Sequence, residues 1–404
     1  MGERVCWPVR LVPVAAVLGA LAVSACSPAR VVESAVVLGD LVAGAGPSRL
    51  KRSTLAPHRM AVSYAVAGRG YRGDVYRPGN GAVAALVLVP GATRAGPDDP
   101  RLVVFATMLA RARFLVLVPD ITTLRALEVR SGDVQHVADA VRYLARCAGA
   151  GAIGLVGISY AAGPALIAAL ENDIRDRIRF VLTVGGYYDG VAILTYLTTG
   201  SFRDRPDEPW RHRPPNAYGK WVSLRSYAAH LRDAADRGLL VEMAARKLRA
   251  PDADLGALAA GLGAEGLAVY ALVANRDPER VPGLVRALPR AVQREMAALD
   301  PKQYGLDGLA ATLIIIHGRD DPIIPHTEAR ALAAAAPPGR AQLYVVDSLA
   351  HVKLSPAGLI DTLVLWRAVY LILERRDAAP PPDRAPARRH SGTCWRRDGG
   401  GAKR

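Results

Sequence analysis

Apolar positions along the chain fall into two patterns that take turns. The first is the short continuous run: Ala84–Val89 (AALVLV), Phe114–Val118 (FLVLV), Ala152–Val156, Phe180–Val184, Thr312–Ile316 (TLIII) and Gln342–Val346 (QLYVV). Runs of this length, bounded by polar residues, read as strands buried on both faces. The second is helical spacing, predicted over Leu102–Ala112, Val134–Cys147, Tyr160–Leu170, Thr327–Ala335 and Pro356–Leu373. In Val134–Cys147 the apolar side is Val134, Val137, Ala138, Val141 and Leu144. Ahead of these, Met60–Ala67 and Tyr71–Arg77 alternate as antiparallel strands joined by Gly68-Arg69-Gly70. Val31–Ala43 reads as a short helix rich in small residues. Buried strands alternating with helices predict an α/β fold with a doubly wound, mostly parallel sheet.

The alternation stops after Phe180–Val184 and resumes at Thr312. Residues 190–309 carry helical segments and Pro-rich breaks, which predicts a helical cap inserted into the core. The expected organisation is a signal segment over residues 1–25 and a helix and polar linker over 26–58. The core follows in two parts, 59–189 and 310–374, with the cap between them. Residues 375–404 are Pro-, Arg- and Gly-rich without apolar periodicity and read as a disordered basic tail.

One serine stands where a strand turns sharply into a helix. Ala152–Val156 runs into Gly157-Ile158-Ser159-Tyr160-Ala161 and then a helical stretch. In such a turn the residues two before and two after the serine approach closely, so both must be small, as Gly157 and Ala161 are. The turn lifts the hydroxyl above the carboxyl ends of the strands, where open α/β sheets bind ligands. Ser159 is the candidate nucleophile. Thr312–Ile316 leads into His317-Gly318-Arg319-Asp320-Asp321-Pro322, which brings a carboxylate, Asp320 or Asp321, to the same sheet edge. Gln342–Val346 leads into Asp347-Ser348-Leu349-Ala350-His351. A neutral imidazole there can take the serine proton and return it to a leaving group, while a carboxylate orients the ring.

These residues resemble the α/β-hydrolase superfamily over roughly residues 60–190 and 310–373, where the triad follows the order Ser, acid, His. The likeness rests on GISYA (157–161), GRDDPIIP (318–325) and His351. The resemblance implies an acid loop of the form G-x-x-D-x-x-x-P, which aligns Gly318, Asp321 and Pro325 and favours Asp321. It also offers a reserve acid, Asp189, because in some relatives the acid follows the strand after the nucleophile helix. The oxyanion loop implied after Ala84–Val89 is Pro90-Gly91-Ala92-Thr93. Its implied donors are the Ala92 and Tyr160 amides, although many relatives have His-Gly where this chain has Pro90-Gly91. The layout is similar to dienelactone-hydrolase-like proteins, which carry Cys where this chain has Ser159, so their specific activity is not implied. The expected function is cleavage of an ester-like bond in a small molecule through an acyl-enzyme. The alternative is an envelope lipoprotein that uses the same fold as a non-catalytic binding module.

Composition narrows the classes. The chain has 404 residues, 51% of them hydrophobic, and a formal charge of +15. The tail alone carries nine Lys/Arg against three Asp. The body is thus moderately basic and has no nucleic-acid motif, so no nucleic-acid partner is expected. Cys6, Cys26, Cys147 and Cys394 form no C-x-x-C pair, and no H-E-x-x-H occurs, so neither metal nor other cofactor is expected. Cys147 reads as a small buried hydrophobe. Gly68-Arg69-Gly70-Tyr71-Arg72-Gly73 fits G-x-G-x-x-G, but a strand follows where a dinucleotide site needs a helix. At the start of the chain, Arg4 and Arg10 precede an apolar run, Leu11–Ala25, that ends at Val23-Ser24-Ala25-Cys26. This resembles a bacterial lipobox and implies export, lipidation at Cys26 and attachment to a membrane in the cell envelope. Seven aromatics in and near the insertion, Tyr187, Tyr188, Tyr196, Trp210, Tyr218, Trp221 and Tyr227, are expected mostly to pack the cap, with a substrate pocket as their other use.

Overall fold

The computed structural model describes residues 27–148, 153–355 and 357–378. The signal segment, Cys26 and the tail from residue 379 onward lie outside the described residues.

Eight strands form the central sheet: β1 (His58–Val66), β2 (Arg69–Arg77), β3 (Ala84–Val89), β4 (Phe114–Pro119), β5 (Ile153–Ile158), β6 (Ile178–Val184), β7 (Thr312–Gly318) and β8 (Ala341–Val346). Their order is β1-β2-β4-β3-β5-β6-β7-β8. β2 is antiparallel to both β1 and β4, and every later pair is parallel. This is the mostly parallel, doubly wound sheet expected from the alternating runs. Ala84–Val89 is buried at every position, as a strand covered on both faces requires. The segment with the G-x-G-x-x-G spacing is a tight turn and the start of β2.

Six helices cover the two faces: α1 (Pro28–Ala43), α2 (Pro100–Arg111), α3 (Gly132–Ala148), α4 (Ala162–Ala168), α5 (His326–Ala335) and α6 (Leu359–Asp377). On one face Val137 and Leu144 of α3, Leu166 of α4 and Leu332 of α5 pack on Val87, Leu155 and Leu313. On the other, Leu38 of α1, Leu109 of α2 and Val369 of α6 pack on Leu86, Val156 and Leu182. Each large apolar side chain withdrawn from water in this way contributes about 1.5–3 kcal/mol.

Two boundaries differ from expectation. The linker before β1 is not wholly irregular, because Arg49–Ser53 forms a helical turn capped by the Ser48 side chain. The last helix begins at Leu359 and continues past Arg375 to Asp377. Contacts distant in sequence account for the extension. The nearly buried Arg376 guanidinium donates to the Ala112 carbonyl (2.8 Å) and to both carboxylate oxygens of Glu33 on α1 (2.5 and 2.8 Å). The Trp366 indole N–H also donates to the Val31 carbonyl (3.2 Å), so α1 and α6 lie side by side.

Residues 190–309 fold mainly as helices, chief among them Gly190–Thr199, Ala217–Ala228, Ala234–Arg249, Ala264–Ala274 and Arg290–Ala298. They have an apolar core of their own around Trp221, Leu240, Met243 and Leu272. Polar bonds fasten this cap to the sheet edge. The Ser226 hydroxyl accepts from the Val129 amide (2.9 Å), and Glu295 accepts from both the amide and the hydroxyl of Ser131. Among the described residues, no helix is long and apolar enough to cross a membrane.

Candidate active site

β5 ends at Ile158, and Ser159 opens a short 3₁₀ turn that passes into α4. The Ser159 backbone has φ +56°, a left-handed conformation costly for a residue with a Cβ. The close approach that demands a small residue is visible at Gly157. A Cβ placed there would lie 2.6 Å from the Ala161 carbonyl oxygen and 2.7 Å from the Ala162 Cα. The turn therefore holds only with glycine at 157, and it leaves the Ser159 side chain half-buried at the sheet edge.

Asp321 follows β7 and is fully buried. Its Oδ1 accepts from the Ile323 and Ile324 amides (2.8 and 2.9 Å), which fixes the carboxylate plane. Its Oδ2 faces His351 Nδ1 at 2.8 Å. Asp320 instead turns outward to Arg213. His351 sits at the tip of a two-residue hairpin loop between Leu349–Ala350 and Lys353–Leu354, also at positive φ (+56°). Asp361 of α6 accepts from the Asp347 and Ser348 amides and so anchors the base of that hairpin. Gly185, itself at φ +60°, lets the backbone pass under the imidazole, where a Cβ would stand 3.1 Å from Nδ1.

The three side chains form one line. His351 Nδ1–H donates to Asp321 (2.8 Å), which leaves Nε2 to accept from the Ser159 hydroxyl (2.7 Å). Burial by itself raises the Asp321 pKa. The His351 hydrogen bond, the charges of His351 and His317 and the Ile324 amide outweigh it and hold the carboxyl below its ordinary value. A second imidazole, His317, is buried with Nε2 3.5 Å from Asp321 Oδ2 and 2.8 Å from the Ile324 carbonyl. Burial pushes its pKa down, and the charge of Asp321 opposes that shift.

Asp189 is elsewhere. Its side chain caps the first cap helix through the Val191 and Ala192 amides, and its other oxygen pairs with Lys302 Nζ at 2.6 Å. The structure does not bring it to the imidazole. Ala92 and Tyr160 do lie beside Ser159. A Cβ on Gly91, the neighbour of Ala92, would stand 3.3 Å from Ser159 Cβ, and Tyr160 is the next residue along the turn. The Tyr160 side chain is partly buried, and its hydroxyl donates to Asp133 (3.1 Å). The Tyr218 hydroxyl, from the cap, donates to the Ala92 carbonyl at 2.8 Å. No spacing in the sequence points to that contact. Of the aromatics near the insertion, Tyr187, Tyr218 and Tyr227 line the cavity above Ser159, whereas Trp221 packs in the cap core and Trp210 bonds Glu279 at the surface.

The cavity has a volume of about 830 Å³ and contains both Ser159 and His351 on its wall. Its remaining lining is overwhelmingly apolar, as pockets for small organic ligands generally are. Among the described residues, no cluster of three or more His, Cys, Asp or Glu is arranged to hold a metal ion.

No protein-family model matches the chain, and no curated protein matches it in sequence. Among solved structures it is similar to the rice cell wall degrading esterase of Xanthomonas oryzae, at 12% identity, 84% of this chain, 93% of that chain and a TM-score of 0.47. It is also similar to an esterase of Pyrobaculum calidifontis, at 15% identity over 86% and 90% of the two chains with a TM-score of 0.42. A serine hydrolase of Cycloclasticus zankles is similar at 13% identity over 79% and 97%, with a TM-score of 0.41. Likenesses this distant add nothing to the site geometry, which stands on the side chains themselves.

Proposed function

We propose that this protein is a serine hydrolase that cleaves an ester-like bond through an acyl-enzyme on Ser159. The observation that carries the reading is the unbroken hydrogen-bond line from Ser159 through His351 to the buried Asp321, set in the wall of an apolar cavity. As Oγ bonds to the ester carbonyl carbon, its proton passes to His351 Nε2. The C–O bond to the alcohol then breaks, and the departing oxygen takes that proton. A water repeats the sequence in reverse roles. It loses a proton to Nε2, its oxygen bonds to the acyl carbon, and Oγ leaves with the proton as the carboxylic acid is released. Asp321 holds the ring in the tautomer with the proton on Nδ1 and stabilises the imidazolium that forms in each half. The Ala92 and Tyr160 amides are the proposed donors to the developing oxyanion. Their position beside Ser159 supports that role.

The test is labelling of the full chain with a fluorophosphonate, which reacts only with an activated serine. The wild type is expected to label. Ser159→Ala is expected to abolish labelling, and His351→Ala to slow it by at least a hundredfold. A folded wild type that does not label would overturn the reading in favour of a non-catalytic binding module.

A further inference from the structure

The cavity does not end at the catalytic residues. It continues between the sheet and three helices on the face opposite α3 and α4. Its walls there include Leu38 and Leu41 of α1, Phe105 and Met108 of α2, and Val369 and Leu373 of α6. The length of this limb follows from α2. That helix starts at Pro100, on the Ser159 side of the sheet, and ends beside Ala112 at the opposite edge, where β4 begins. Pro100 and Ala112 both line the cavity, so the limb runs alongside the whole helix. Twelve residues at the helical rise span about 18 Å.

The charged residues of the lining are Asp99, Arg101 and Lys353, the last in the hairpin that carries His351. Asp99 and Arg101, paired with each other at 2.6 Å, stand where α2 begins, beside the oxyanion loop. From Leu102 down to Phe114, every residue of the wall contributed by this segment is apolar. A limb so lined cannot satisfy a sugar, a peptide or a charged group, whose polar atoms would be buried without partners. It can take a hydrocarbon chain. The hydrocarbon core of a bilayer is about 30 Å thick, so one acyl layer measures about 15 Å, close to the length of the limb.

We infer that the substrate is a long-chain acyl ester and that its acyl chain occupies the limb between α1, α2 and α6. The inference rests on the hydrolase reading above. The acyl chain rather than the alcohol belongs there because of the order of release. The alcohol leaves first, and a water must take its place beside His351 while the acyl group is still bound to Ser159. An alcohol held in the inner limb would have to leave past that acyl group. The cap side of the cavity, lined by Ile193, Leu197, Val222 and Tyr227, is left for the alcohol part.

The experiment measures kcat/KM of the full chain on p-nitrophenyl esters with acyl chains from acetyl to palmitoyl, and on acetyl esters of alcohols of matching length. The palmitoyl ester is expected to exceed the acetyl ester by at least tenfold, with no comparable rise along the alcohol series. Ala112→Phe, which fills the far end, is expected to lower the palmitoyl-to-butanoyl ratio at least tenfold. Leu38→Trp narrows the limb from the opposite wall and reads the same ratio if Ala112→Phe does not fold. Flat or falling rates with acyl length, in an enzyme that labels at Ser159, overturn the acyl assignment and leave the hydrolase reading standing. A rise along the alcohol series instead also overturns it. Fluorescent fatty-acid binding to Ser159→Ala separates the two ideas. Binding that palmitate displaces, and that Ala112→Phe weakens at least tenfold, supports the limb even if no ester is cleaved; no binding overturns it. Palmitoyl glycerol and palmitoyl lysophosphatidylcholine then distinguish a neutral lipid from a phospholipid source, and cleavage of either supports the inference.

Discussion

The core and the cap build their halves of the cavity by different means. The core supplies the three groups in line, each at the carboxyl edge of a parallel strand: Ser159 after β5, Asp321 after β7 and His351 after β8. Strand register fixes their spacing, and backbone amides and tight turns fix their rotamers. The cap supplies apolar walls and a polar contact beside the nucleophile, the Tyr218 hydroxyl on the Ala92 carbonyl. The difference separates chemistry from selection. Changes in the core should move kcat by orders of magnitude, and changes in the cap should move it little unless they reach through Tyr218.

The sharpest break between the two regions is at the two candidate acids. Asp321 follows a core strand, and Asp189 is the last core residue, capping the first helix of the cap. Asp321→Asn leaves the His351 Nδ1–H without an anionic partner and is expected to lower kcat by roughly 10³–10⁴. Asp189→Asn keeps the helix cap, since Asn caps as well as Asp, and loses only an ion pair to a half-exposed lysine. Its activity is expected within about threefold of wild type, with a stability change under about 1 kcal/mol. Steady-state kinetics on one ester settles both. A loss at Asp189→Asn larger than at Asp321→Asn would reverse the assignment of the acid.

Tyr218 tests whether the cap is only a wall. Its hydroxyl holds the carbonyl of Ala92, the residue whose own amide is the proposed oxyanion donor, and burial pushes its pKa up to about 12, so it acts as a neutral donor. Removing one such hydrogen bond in Tyr218→Phe is expected to lower kcat about three- to tenfold with KM unchanged. Unchanged kcat with a lower Tm would reduce Tyr218 to a packing residue.

The same division explains what could be read in advance. Strands such as Ala84–Val89 are legible because burial on both faces leaves only apolar residues, and Ser159 is legible because its turn demands small neighbours at fixed spacing. The choice between Asp320 and Asp321 needed a family pattern, since either spacing reaches the sheet edge; in the structure Asp321 turns inward and Asp320 outward. The hairpin that carries His351 has strands of two residues, too short for any periodic signal. The contribution of α1 was hidden for another reason. The Trp366–Val31 and Arg376–Glu33 contacts join residues more than 330 positions apart, and the sequence assigned Arg376 to a tail. Tyr218 was visible only as one aromatic among seven, because its partner is a backbone carbonyl.

At the seam where core becomes cap the expected effect is on stability and not on rate. Glu328 of α5 is buried, and its Oε2 accepts from the Tyr188 and Asp189 amides at 2.9 and 2.8 Å. Burial raises its pKa to about 7; the two amides oppose the shift, and the charges of Asp189 and Asp300 add to it. In the unfolded chain the group titrates near the ordinary value of 4.5. Between about pH 4.5 and 7 the native state therefore keeps a proton that the unfolded state has released, and stability falls as pH rises through that window. Partly buried His136 works in the opposite sense. Its pKa is lowered by burial to about 4, so the unfolded state binds the extra proton and stability rises with pH. The wild-type curve alone mixes these slopes, but the difference between wild type and Glu328→Gln isolates one of them. Gln mimics the protonated acid and keeps a carbonyl for the two amides. Chemical denaturation should find the two proteins alike below about pH 4, and the variant more stable by up to a few kcal/mol near pH 8. A difference that does not change with pH would mean that Glu328 is not protonated in the native state, and that the seam is held by a buried carboxylate.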